Sequence, residues 1–60
     1  MCESKVYLLR RGEEELLMED VEYIKVINEE ILIRDILGQE KIIKAHIKEL
    51  SFIDHRVILA

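Results

Sequence analysis

Three residues that favour turns, Gly12, Asn28 and Gly38, divide this chain into short segments rich in β-branched side chains. Val and Ile supply 14 of the 60 residues, and both favour strands because their branched side chains pack well on a pleated sheet. Gly and Asn reach the left-handed backbone conformations that tight connections between strands require. The pattern therefore predicts an all-β fold of short strands.

Five strands are predicted from the alternation of side chains and the turns between them. The second strand is long, so we expect a bend at Glu19-Asp20, and the fourth, EKIIKAHIKEL, has room for a helical turn. A chain this short and strand-rich closes most easily as a small barrel or sandwich, because closure removes exposed strand edges. The predicted strands span 3–10, 15–27, 30–37, 40–50 and 52–59.

An all-α bundle is the competing fold, because one stretch of the chain also has helical spacing. Its apolar residues recur every three or four positions, at Leu17, Val21, Ile24, Ile27 and Ile31. The high content of β-branched residues favours strands over this helical interpretation.

The chain length predicts a single domain, 1–60, near the lower size limit for independent folding. A domain of this size hides only about 60% of its unfolded surface. We therefore expect a homodimer, which would cover apolar side chains such as Leu9, Val57 or Leu59. The first ten residues lack the apolar run of a signal peptide, and no stretch approaches the roughly 18 apolar residues of a membrane span. These features predict a cytoplasmic protein without a membrane segment.

The charge distribution argues against nucleic-acid binding. Nine Lys and Arg oppose 13 Asp and Glu, which gives a net charge of −4, and the cations are interspersed with acids. Affinity for phosphate backbones depends on clustered positive charge. With one Phe, two Tyr and no Trp, the chain also offers few rings on which bases could stack.

The two histidines do not form a recognisable catalytic motif. His46 lies in KAHIK and His55 in FIDHRV, and the sequence contains neither a nucleophile elbow nor a phosphate-binding glycine loop. A Cys–His nucleophilic site would need both side chains in contact and a third group to orient the base. We therefore expect each histidine to be a half-exposed strand residue, and the protein not to be an enzyme.

Cys2 is the candidate metal ligand. A small second residue generally permits removal of Met1, which would leave Cys2 with a free α-amine beside its thiol. Together the two groups can close a five-membered chelate ring, and a metal displaces their protons near neutral pH. Nickel(II) and copper(II) favour tetragonal sites with nitrogen ligands. Zinc would need four tetrahedral ligands, and the chain has no CxxC or HxxxH pair to supply them.

Three segments together extend nearly from one end of the chain to the other: MCESKVYLL, GEEELLMEDV and LGQEKIIKAHIKELSFIDHRVIL. In these segments the chain resembles the CooT-like family of small nickel-binding proteins. It implies a small SH3-like or Sm-like β-barrel, a homodimer, and nickel(II) bound through the N-terminal cysteine, here Cys2. It also implies an accessory role in nickel delivery, with carbon monoxide dehydrogenase as the acceptor for the family's named member.

Two other functions remain open on the sequence. Members of this family have also been labelled RNA-binding because of the Sm-like fold, which is an argument from fold alone. The third hypothesis is that the protein is a structural dimer in which Cys2 has no functional role. The matching residues Asp54, His55 and Arg56 are expected to be structural, either holding the start of the last strand or lining a dimer contact.

Overall fold

A computed structural model describes residues 4–60, and within that range it contains six strands and no helix. The predicted all-β fold is confirmed, and the competing all-α bundle is wrong. Consistent with this, the described residues include no helix that is long and apolar enough to cross a membrane. The strands are β1 (Ser4–Arg10), β2 (Glu13–Ile27), β3 (Glu30–Asp35), β4 (Glu40–Lys44), β5 (Ile47–Ser51) and β6 (Arg56–Leu59).

The three predicted turn residues all adopt left-handed backbone conformations between strands. Gly12 has φ of 80°, Asn28 has φ of 54° and Gly38 has φ of 86°. The turn at Gly38 is further held by the buried carboxylate of Asp35, which accepts hydrogen bonds from the backbone N–H groups of Leu37 and Gln39, both at 2.9 Å. These backbone conformations explain why Gly12, Asn28 and Gly38 lie in the turns that separate the strands.

The strands form one mixed sheet in the order β4-β3-β2-β1-β6-β5. Neighbours are antiparallel except for β1 and β6, the first and last strands, which are parallel. The edge strands β4 and β5 are separated in the chain only by Ala45 and His46. Because the three peptide units from Lys44 to Ile47 span at most about 11 Å, the sheet curls until its two edges approach here. Among the described residues no ladder joins these edges, so the predicted barrel is an open one.

Two of the predicted strands differ from the structure by more than a shift of one or two residues at an end. The predicted strand 40–50 is interrupted at Ala45-His46, because Ala45 turns into the core while the chain crosses from one sheet edge to the other. The backbone of His46 then pairs with Ala60 in both directions, at 2.8 and 2.9 Å. The predicted strand 52–59 begins only at Arg56, since residues 52–55 form a turn. No helical turn is present at the fourth strand.

The long strand β2 pairs with two neighbouring strands, and it bends at the expected position between them. Its first half pairs with β1 and its second half with β3, and the register shifts at this junction on both sides. Asp20 lies there with φ of 54°, a left-handed conformation that Asp tolerates better than most residues. The irregularity redirects β2 where the sheet folds over.

The core lies inside the curl of the sheet. Ile33, Leu59 and Val6 are each 0% exposed. We had expected Val57 and Leu59 to be available at a dimer surface; this is wrong, because β6 is a central strand of the sheet and both side chains face inward. The exposed large apolar side chains include Leu37, Phe52 and Ile53 in turns, Ile42 on the edge strand β4 and Val26 on β2.

Candidate functional site

The start of β1 is held between two strands. Ser4 pairs with Val21 of β2, and Lys5 pairs with Arg56 of β6. The Lys5 N–H also donates a hydrogen bond of 2.9 Å to the carbonyl oxygen of His55. The point at which the chain enters the sheet is therefore fixed from both sides.

Cys2, the predicted nickel ligand, lies outside the described residues. It is two residues before Ser4 in the sequence. The ligand role of Cys2 stays a prediction.

His55 lies at the same end of the sheet. It is the last residue of the turn between β5 and β6, has φ of 54°, and is exposed. His55 and Ser4 both line the same groove. The turn explains this position, because a left-handed residue here aims the His55 carbonyl at Lys5 and starts β6 beside β1.

His46 lies at the other end of β6. Its backbone pairs with Ala60, and its Nε2 atom is 3.2 Å from Oε1 of Glu29. Since a strand rises about 3.3 Å per residue, Ala60 is about 13 Å along the strand from Arg56. Both histidines were expected to be half-exposed strand residues, which is wrong: each lies in a connection and is exposed. Only His55 lies beside the entry of β1.

The neighbours of His55 stabilise the start of the last strand. The Asp54 N–H donates to the Ser51 hydroxyl at 3.1 Å and closes the turn. The Arg56 guanidinium forms an ion pair with Glu14 and lies 4.7 Å from the centre of the Tyr7 ring. These contacts tie β6 to β1 and β2, which agrees with the structural role expected for this motif.

An apolar groove of about 340 Å³ opens between the bend of β2 and the turn before β6. The side chains around it include two that are strongly exposed for their type, Phe52 at 79% and Leu50 at 49%. This surface is not among the sequence-based predictions, although the apolar residues on both sides of Ser51 are a signal for it. Among the lining residues are Ser4, Val21, Tyr23, Leu50, Phe52 and His55.

Most of the arginines are engaged in contacts within the protein. Three of the four pair with glutamates: Arg10 with Glu15, Arg34 with Glu40, and Arg56 with Glu14. Two of the same arginines also cover tyrosine rings, since Arg34 lies 4.5 Å from the centre of the Tyr23 ring and Arg56 lies over Tyr7. These guanidinium groups and both tyrosine rings are thus less available to a phosphate backbone or a base.

Metal-binding side chains do not cluster within residues 4–60, where no group of three or more His, Cys, Asp and Glu is placed to hold an ion. The candidate site therefore consists of the entry of β1, the exposed His55 ring and the groove they share.

These features define a class: a small all-β domain with one open, curled sheet and a fixed N-terminal entry beside an apolar groove. Over residues 1–60 the chain matches the family described as CO dehydrogenase accessory protein CooT, and it belongs to that family. An accessory protein is not a catalyst, which agrees with the expectation that the chain is not an enzyme.

A solved structure supports the same assignment. The chain is similar to the crystal structure assigned as CooT from Carboxydothermus hydrogenoformans, with 40% sequence identity and a TM-score of 0.87. The similarity covers 97% of this chain and 94% of the other. No curated protein matches the sequence.

Proposed function

We propose that this protein binds nickel(II) through the thiolate of Cys2 and serves as an accessory protein in the maturation of carbon monoxide dehydrogenase. The observation that carries the proposal is the family match, which extends over residues 1–60 and so includes Cys2. A chain with one cysteine and no internal disulfide suits a reducing cytoplasm, where we place this function.

The donor chemistry supports nickel. A thiolate is a soft ligand, and the α-amine of a processed N-terminus adds a nitrogen donor on the same residue. Nickel(II) accepts such a mixed set in a tetragonal arrangement, and both donors lose their protons as the metal binds.

We expect nickel binding to depend on a free N-terminus. Below the free pKa values of about 8.5 for the thiol and about 7.7–8.0 for the amine, binding that expels both protons strengthens roughly a hundredfold per pH unit. Binding through the thiol alone expels one proton and therefore strengthens only roughly tenfold per pH unit. Protein with residues added before Met1 should therefore bind nickel more weakly and with the smaller slope. Titration at several pH values, followed by thiolate-to-nickel charge-transfer bands in the near-UV, measures both quantities.

Processed protein, with Cys2 as its first residue, is the reference for this comparison. Equal affinity and equal slope in the processed and extended proteins would exclude the amine as a ligand. Absence of any charge-transfer band in either protein would contradict nickel binding through the thiolate.

We further propose that the functional unit is a homodimer. The exposed apolar side chains Leu50, Phe52 and Ile53 form a patch that a second copy would remove from water. Sedimentation at micromolar concentration should give twice the chain mass of 7.1 kDa. Replacing Phe52 with Ser should shift the monomer–dimer equilibrium towards monomer. The same replacement at the exposed apolar residue Ile42 of β4 should leave this equilibrium unchanged. A monomer in the unmodified protein contradicts the proposal.

A further inference from the structure

We propose that two copies of this chain dock through the apolar groove between the bend of β2 and the turn before β6, with the Phe52 ring of each copy seated in the groove of the other. The proposed homodimer is the premise, and the inference goes beyond it because each copy supplies a residue that completes a site on its partner. Both parts of this contact, the ring and the groove, lie within residues 4–60.

The groove is a part of the inner face of the sheet that the chain itself leaves uncovered. Val21 and Val57 line it, belong to the hydrophobic core, and are only 7% and 4% exposed. Leu50 pairs with Val57 across β5 and β6, so the two side chains lie on the same face of the sheet. Leu50 is nevertheless 49% exposed, because β5 is an edge strand with no further strand beside it. An apolar side chain inserted here extends the core.

The side chain that fits the groove lies at its rim. Phe52 is in the turn directly after β5 and is 79% exposed, and the next residue, Ile53, is 91% exposed. The groove has a volume of about 340 Å³. Since a cavity of about 150 Å³ is enough to hold a benzene molecule, the groove has room for the ring of a second Phe52.

The placement of the ring beside the groove favours a second copy as the occupant. In a two-fold dimer both subunits use the same surface patch, so the patch must be complementary to itself. A protruding ring next to an apolar hollow meets this condition. The rotation that brings Phe52 of one copy over the groove of the other also makes the reciprocal contact, so each dimer buries two rings.

The charge distribution also favours this surface. The chain has a net charge of −4, so two copies repel each other unless they meet where acidic residues are few. Glu22 is the one carboxylate among the described residues that line the groove, and Arg56 at its border is already paired with Glu14. By contrast, the hollow beside the turn between β1 and β2 is lined by Glu13, Glu14 and Glu15. Two copies therefore meet at the groove with less repulsion than they would there.

The first test removes the ring. Loss of one buried phenylalanine ring is expected to weaken association at least about tenfold, and Phe52→Ser removes two rings from each dimer. Sedimentation equilibrium should therefore give a dissociation constant at least about a hundredfold higher than that of the unmodified protein. Leu37→Ser is the matched control, because Leu37 is 80% exposed but lies in the turn between β3 and β4, outside the groove. Its dissociation constant should be unchanged.

The second test fills the groove instead. Leu50→Trp places a larger ring in the groove of its own chain, so that Phe52 of the partner subunit has no room. This variant should be monomeric, and circular dichroism establishes that it and the others are folded. An equal mixture of Leu50→Trp with Phe52→Ser should form a heterodimer, detected by native mass spectrometry. The first chain retains the ring and the second retains the open groove, so one of the two contacts is restored.

Failure of the two variants to pair in the mixture overturns the inference, because a non-specific apolar contact gives no such rescue. Unchanged association of Phe52→Ser, retention of the dimer by Leu50→Trp, or an equal loss in Leu37→Ser does the same. If the unmodified protein is a dimer in any of these cases, the proposed homodimer stands and only its interface is wrong. If the unmodified protein is a monomer, both fail, and the nickel titration decides the metal-binding proposal separately.

Discussion

Replacing Cys2 with Ser is expected to weaken nickel(II) binding at least tenfold, which corresponds to about 1.4 kcal/mol. The substitution retains the size of the side chain and the α-amine but removes the soft sulfur donor. The fold should be unaffected, because residues at a chain terminus contribute little to packing. The measurement is a calorimetric nickel titration of both proteins at one pH.

His46→Asn is the control for this experiment. It removes an imidazole, a side chain of a type that can bind metals, from a position far from the entry of β1. The charge-transfer bands should vanish in Cys2→Ser and persist in the control. Unchanged affinity in Cys2→Ser would move the site to other donors and contradict the proposed function.

Replacing Ile33 with Ala is expected to lower the free energy of unfolding by about 2–5 kcal/mol. Ile33 is 0% exposed at the centre of β3, between Ile24 of β2 and Lys41 of β4. A domain of 60 residues has a total stability of only about 3–9 kcal/mol, at roughly 0.05–0.15 kcal/mol per residue. This single cavity should therefore remove a large part of it.

Ile42→Ala makes the same chemical change on the neighbouring strand β4, where the side chain is 62% exposed. Its effect should stay below about 1 kcal/mol, the range of strand propensities. Urea unfolding at one fixed protein concentration compares the two, since self-association would make stability depend on concentration. Equal losses in both variants would contradict the core described for this protein.

The local features of the fold could be predicted from the sequence. Gly12, Asn28 and Gly38 mark turns because their backbone preferences act within a few residues. The bend at Asp20 was also predictable, because β2 was too long to remain regular in a domain this small. Such features depend on neighbouring residues, which is why a single sequence contains them.

The long-range features could not be predicted. The interruption at Ala45 arises because this residue fills the core while the chain crosses between sheet edges, and nothing local in KIIKAHIKEL marks it. The inward direction of Val57 and Leu59 follows from the pairing of β6 with β1, residues almost a whole chain apart. Contacts of that kind leave no periodic signal in the sequence.

The candidate site also has features that a sequence can suggest and features that only the fold reveals. The prediction of Cys2 as a metal ligand comes from its chemistry and from the family resemblance, and it stays a prediction because Cys2 lies outside the described residues. The relation of His55 to the N-terminal entry could not be predicted, since FIDHRV and KAHIK look equally suited to hold a ligand. The structure separates the two histidines by placing them at opposite ends of β6.

The parallel contact between the first and last strands has a consequence for biosynthesis. Lys5 to Leu8 pair with Arg56 to Leu59, so β1 lacks one of its two neighbours until β6 has been translated. Closing so long a loop is slow compared with forming local hairpins. We therefore expect β1 to gain its second neighbour, β6, only after the local hairpins of the sheet have formed.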